Sequence, residues 1–196
     1  MSVVSIESPK SVRVPGELGI WAFICVDLFA FTMYFGTFLW ERAQAPEVFA
    51  AGSASLSLAH GVVNTLMLLT SSLFVALAVQ AMRAGDRRRG QRYVLAAAAG
   101  GLVFILNKPF EWLAKLDAGL GPHHDHFFQL YYLLTGLHLA HVIVGMVVLR
   151  WLWKLAGLVR RAPTARQARF IESGAIYWHL VDLIWLVLFA LFYLLK

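Results

Sequence analysis

Residues 172–196 read ESGAIYWHLVDLIWLVLFALFYLLK. The run is apolar enough to lie in lipid, yet its first half carries Trp178, His179, Asp182 and Trp185. A carboxylate about ten residues into a membrane-length helix costs about 2.5–3.5 kcal/mol on insertion scales. It has to be answered by another group inside a bundle, and the remaining sequence can be searched for that group.

Hydrophobic residues make up 60% of the 196, charged residues only 14%, and mean hydropathy is +0.68. A soluble domain carries about 25% charge, so the composition describes an integral membrane protein. The net charge of +6 does not indicate a nucleic-acid partner, because the cations fall in short blocks between apolar runs. Cys25 is the single cysteine, which excludes an intrachain disulfide and a cysteine-based metal motif. The first sixteen residues lack an apolar h-region and a small-residue cleavage site, so no cleavable signal peptide is expected.

A span needs roughly 20 residues to cross about 30 Å of hydrocarbon. Outward from the tail, the pattern predicts an all-α bundle of five transmembrane helices over about 18–40, 60–82, 93–116, 127–153 and 172–195. Residues 1–17 read as a flexible cytoplasmic leader, and 41–59, 83–92, 117–126 and 154–171 as loops. Lys10, Arg13, Arg83, Arg87–Arg89, Arg92, Arg150, Lys154, Arg160, Arg161, Arg166 and Arg169 fall on one side, against Arg42, Lys108, Lys115 and Lys196 on the other. The positive-inside rule then puts the N-terminus in the cytoplasm and the C-terminus in the periplasm of a bacterial inner membrane.

Counting depth from the cytoplasmic face places Asp27, His179 and Asp182 within about ten residues of it, and His138 and His141 near the middle of the fourth span. Residues three apart share a helix face, as His138 and His141 do, and His179 and Asp182. The five groups are expected to meet in one layer, with Asp27 in hydrogen-bond reach of a histidine on the fourth or fifth span. Three roles stay open for that layer. It can be a polar network that fixes helix register, with histidine or indole N–H groups donating to the carboxylates. It can be a proton or ligand pathway. It can also ligate haem, with His138 or His141 opposite His179. No second pair of buried histidines remains for another redox centre.

Lys108 and Glu111 are expected to pair locally near the outer end of the third span, beside Pro109, which can kink it. Asn64, Thr65, Ser71 and Ser72 are expected to pack helices, as is the Ala96–Gly101 run. The loop histidines His123, His124 and His126 read as a solvated turn. There is no Walker loop, HExxH or GxSxG, and no nucleophile with a sequence-evident base, so no catalytic residue or protein-bound metal is expected.

These motifs carry a likeness. The series Glu172, Tyr177, Trp178, His179, Val181, Asp182 and Trp185 resembles the last helix of subunit III of haem-copper cytochrome c oxidases, E-x-x-x-W-Y-W-H-F-V-D-x-x-W, with Ile176 and Leu180 replacing one Trp and the Phe. Thr135 to Gly145 is similar to the family's T-G-F-H-x-x-H-V-I-x-G, and Asn64-Thr65 with Leu68, Leu69 and Ser71 to its N-T-x-x-L-L-x-S. Glu111-Trp112 falls at the third shared helix's Glu–aromatic pair, and Asp27 where the first carries a carboxylate, usually Glu. Long members have seven helices; this chain matches the last five. The opening residues 15–21, the Lys108…Glu111-Trp112 form and the Asp for Glu look most like the five-helix NorE-type accessory protein of nitric oxide reductase. The resemblance implies a non-catalytic subunit with no haem or metal of its own, phospholipid aside. It would support a haem-copper catalytic subunit: a nitric oxide reductase in denitrification or, alternatively, subunit I of a cytochrome c or quinol oxidase.

Overall fold

The computed structural model describes residues 14–158 and 162–195. Five helices are long and apolar enough to cross a membrane. They are α1 (Leu18–Gln44), α3 (Leu58–Arg83), α4 (Arg87–Asp117), α5 (His126–Leu158) and α6 (Ala165–Phe189), the last continued by a π-helical turn at Ala190–Leu194. A short α2 (Pro46–Ser55) completes the described elements, all of them helical.

The spans fall where the sequence puts them, but the connections are more ordered than expected. The 41–59 loop holds α2, which begins on Pro46, where a missing N–H is harmless because the first turn has no carbonyl to meet. The basic 83–92 turn shrinks to three residues, since α4 starts at Arg87 with Asp86 capping it through Arg89 N (3.0 Å). In the 154–171 loop, α5 runs on to Leu158 and α6 starts at Ala165, seven residues before Glu172. Thr164 and Gln167 build a reciprocal capping box there, satisfying two N–H groups that would otherwise be left over. The predicted leader lies outside the described residues except for 14–17, as do Arg160, Arg161 and Lys196.

Helix α6 is the most buried of the long helices and α1 the least. The most extensive packing is between α3 and α4, where Ser71 Oγ donates to Ala97 O at 2.7 Å. Lipid tails give helices little hydrophobic reason to associate, so close packing has to hold them together. Trp178 shows how: it is 1% exposed and lies between Gly101 of α4 and Gly145 of α5. A Cβ on Gly101 would sit 2.7 Å from its Cη2, and one on Gly145 2.7 Å from its Cζ3. At the end away from the basic segments, Phe38, Phe49, Phe127 and Phe192 interlock, with ring centroids 5.0–5.8 Å apart between contacting edges. This cluster seats α2. At the basic end, Glu172 ties three elements together. It accepts from Gly16 N at 2.8 Å and from Arg83 of α3 at 3.0 Å.

Candidate functional site

The five expected groups do not form one layer. They divide into an Asp27–His141 pair, a Ser72–His179–Asp182 group and an isolated His138. The most deeply buried ion pair is a fourth cluster, around Lys108.

Lys108 is completely buried and Glu111 nearly so, at 0% and 3% exposure. One turn of α4 separates them, and Nζ donates to Glu111 Oε2 at 2.9 Å. It also donates to Tyr131 Oη of α5 at 2.9 Å and to Tyr193 Oη of the π-turn at 3.0 Å. An ammonium has three protons, and all three are placed. Tyr193 Oη in turn donates to Glu111 Oε1 at 2.7 Å. Nζ lies 4.6 Å from the Tyr131 ring centroid and 5.4 Å from that of Trp185. The expected local pair is therefore present, but it joins three helices and is closed to solvent. Helix α4 continues unbroken through Pro109. Sequence reasoning missed Tyr131 and Tyr193. Depth compared among ionisable groups alone does not reveal them, and a phenol at the same level was the available signal.

Asp27 of α1 meets His141 of α5, with Oδ1 3.1 Å from Nε2. His141 Nδ1 lies 2.8 Å from Leu137 O. A carbonyl can only accept, so Nδ1 carries a proton, and a neutral ring then has a bare Nε2. A second proton must lie between Nε2 and Asp27. The pair is either a carboxylic acid donating to imidazole or a carboxylate accepting from imidazolium, and it is neutral overall in both forms. Tyr177 Oη donates to His141 O at 3.1 Å, and the Phe31 ring stands edge-on to the imidazole at 5.5 Å.

On α6, His179 Nδ1 lies 2.5 Å from Ser72 Oγ of α3. Asp182, three residues on, is 7% exposed, and its Oδ1 has no hydrogen-bond partner among the described residues. His138 is fully buried with both ring nitrogens unpartnered among the described residues. It is packed between Phe104 and Trp185 at 5.2 and 5.3 Å between centroids. His141 does not fit the expected pairing with His179 around a haem in this arrangement. Both ring nitrogens of His141 are engaged, and His179 is held by Ser72 on an exposed face.

The packing residues are placed more simply. Trp185 Nε1 donates to Thr65 Oγ1 at 3.0 Å, and Asn107 Nδ2 to Asn64 Oδ1 at 2.7 Å. The loop histidines diverge: His124 pairs with Asp125 and His126 with Glu41. Among the described residues, no three His, Cys, Asp or Glu side chains gather as a metal site.

The buried polar atoms thus join α1 to α5, α3 to α6, and α4 to both α5 and the π-turn. Comparison with known proteins agrees with this architecture. The chain is 32% identical to cytochrome c oxidase subunit 3 of Synechocystis over 181 residues, covering 90% of the chain and 74% of that protein. It is 28% identical over 194 residues to the probable cytochrome c oxidase subunit 3 of Mycobacterium tuberculosis, covering 99% and 93%. A protein of Aeropyrum pernix named haem-copper oxidase subunit I+III matches at 28% over 181 residues, covering 89% of the chain and 22% of that longer protein. The family model described as cytochrome c oxidase subunit III matches residues 7–196, and the chain belongs to that family.

Proposed function

We propose that this protein is a non-catalytic subunit of a haem-copper terminal oxidase, seated beside the catalytic subunit I in a bacterial plasma membrane. The observation that carries this is the match of the whole bundle to proteins named as oxidase subunit 3. The Aeropyrum protein, whose name joins subunits I and III in one chain, supports subunit I as the neighbour. The oxidase is favoured over the nitric oxide reductase that the NorE-type likeness suggested, because the names of the relatives point to the oxidase. The second reading rests on Lys108…Glu111-Trp112 and on Asp27 in place of the usual Glu. The blocks of Lys and Arg support a cytoplasmic N-terminus.

A bound phospholipid belongs to this proposal. At the basic end, a groove of about 500 Å³ is lined by Trp151, Lys154, Arg166 and Phe170 among others. It shares Phe170 with an apolar groove of about 300 Å³ that runs between α1, α5 and α6 past Phe23, Val148 and Tyr177. Two cations at the mouth suit a phosphate, and the apolar run suits an acyl chain. No haem or metal is assigned to the chain itself; those belong to the partner. Affinity purification of the tagged protein from its native membranes tests the proposal. Recovery of a haem-copper subunit with oxygen-reducing activity is expected; recovery with nitric oxide-reducing activity selects the second reading, and isolation without any haem protein refutes both.

A further inference from the structure

The first turn of α4 carries Arg87, Arg88 and Arg89 and no acidic residue, at a place where the positive end of the helix dipole disfavours cations. Asp86 offsets one of them, pairing with Arg89 at 3.3 Å. Arg88 and Arg92, four apart, share a face of α4, and both are exposed. Gln91 Nε2 lies 3.5 Å from Trp153 O and so marks the register of α4 against α5. Arg150 of α5, also exposed, therefore stands within about one helical turn of Arg92 in depth. Among the described residues, the side chains of Arg88, Arg92 and Arg150 have no ion pair or hydrogen bond. Beside them, α4 and α5 flank a groove of about 380 Å³, lined by Leu95 and Ala98 of α4 and by Met146, Leu149, Arg150 and Trp153 of α5 among others. It leads away from the basic end, from Trp153 to Met146, about 10 Å of helix rise. There Met146 turns its sulfur into the notch left by Gly101, 2.8 Å from the place a Cβ would take.

We infer that this α4–α5 groove binds a glycerophospholipid of net negative charge, with its phosphate between Arg92 and Arg150 and one acyl chain along Ala98 and Met146. The order of polarity chooses the occupant. The unpaired guanidinium groups lie at the interface end and the lining turns apolar with depth, which is the order of groups in a lipid. Guanidinium forks match phosphate oxygens two at a time, and basic pockets between membrane helices on the cytoplasmic side take anionic headgroups. Trp153 sits at the headgroup level, as interfacial indoles do. A zwitterionic lipid brings its own ammonium and leaves the surplus charge of Arg88, Arg92 and Arg150 unanswered. The site shares no lining residue with the groove at Lys154 and Arg166, and it does not depend on which catalytic subunit the bundle serves.

The test is photolabelling of the full chain in phosphatidylcholine nanodiscs, alone and as the purified complex, with a trace of phosphatidylglycerol that carries a diazirine on one acyl chain. Labels are expected to map to residues 94–98 and 146–149 and to be competed by unlabelled phosphatidylglycerol. Arg92→Gln with Arg150→Gln removes two exposed charges and is expected to lower the labelling about tenfold or more, with thermal unfolding of the chain unchanged. Ala98→Phe fills the groove, keeps every arginine and is expected to lower it as much, whereas Lys154→Gln with Arg166→Gln should leave it unchanged. Equal labelling by a phosphatidylcholine probe would mean an unselective lipid belt and overturn the inference. Competition by sn-glycerol 3-phosphate at matched concentration would mean a free-phosphate site and overturn it too. Labelling of the lone chain that vanishes in the complex would show that the partner subunit, not lipid, fills the groove. Failure to recover any haem-copper subunit counts against the proposed function alone, since the isolated chain still reports on the groove.

Discussion

Removing the Lys108 ammonium should expose how the bundle tolerates a charge in its core. Lys108→Met keeps the length and apolar stem but deletes three hydrogen bonds, to Glu111, Tyr131 and Tyr193. Hydrogen bonds between membrane helices average about 0.6 kcal/mol each, which sets a floor near 2 kcal/mol. Breaking a buried pair by removing one partner costs about 3–5 kcal/mol, because a charge is stranded. Glu111 can escape that by taking up a proton, as isolated buried carboxylates do. The loss should therefore fall at about 2–4 kcal/mol, between those limits. Glu111→Gln strands Lys108 in the same way and should cost about as much. The double variant strands nothing, and the new side-chain amide can still accept from Tyr193. Its cost should stay close to that of one single variant, so the coupling should be about as large as one single loss. Reversible unfolding in mixed detergent micelles, read by tryptophan fluorescence, supplies all three values. Strictly additive losses, or single losses well below the floor of about 2 kcal/mol set by the lost hydrogen bonds, would refute the account of Lys108 as a satisfied buried charge.

Other outcomes follow from neighbouring features. Gly145→Ala places a Cβ 2.7 Å from the Trp178 ring and should destabilise by about 1–3 kcal/mol, the usual cost of overpacking, measured in the same micelles; Gly136→Ala on the same helix meets only a Trp112 ring carbon at 3.8 Å and should be neutral. Asp27→Asn retains an N–H that can donate to His141 Nε2 and should change stability little, whereas Asp27→Leu strands that nitrogen and should cost about 1–3 kcal/mol, the penalty of an unsatisfied buried acceptor. Equal losses in the two variants would show that Asp27 does not share a proton with His141. Thr164→Ala removes the α6 capping box and should cost about 1 kcal/mol, seen as faster hydrogen exchange over residues 165–168.

The positions of the spans were legible because lipid imposes a length and a polarity on every helix that crosses it. Asp27 and His141 were legible for the same reason, since ionisable groups in such spans seek one another. The connections were less so. Pro46 reads as a loop signal by composition, yet at the first position of α2 it starts a helix. Nothing in the run Ala190–Leu194 distinguishes a π-turn from an α-turn, so Tyr193 could not be aimed at Lys108 beforehand. The expected single layer failed because equal depth does not fix azimuth. His138 points at Trp185 and Phe104, while His141, three residues on, points at Asp27.

The spacing of Lys108 and Glu111 on one helix also bears on biosynthesis. Spans enter a membrane in the order they are made, and a lone lysine inside a span opposes insertion, by up to about 2.5–3.5 kcal/mol at a helix centre. Its acidic partner sits one turn away on the same segment, so the Lys108 charge can enter already paired before Tyr131 or Tyr193 has emerged. The two phenols arrive later, on α5 and on the last span, and complete a site that was already neutralised. A partner carried on a later helix could not have done this, because the lysine would have crossed unaccompanied.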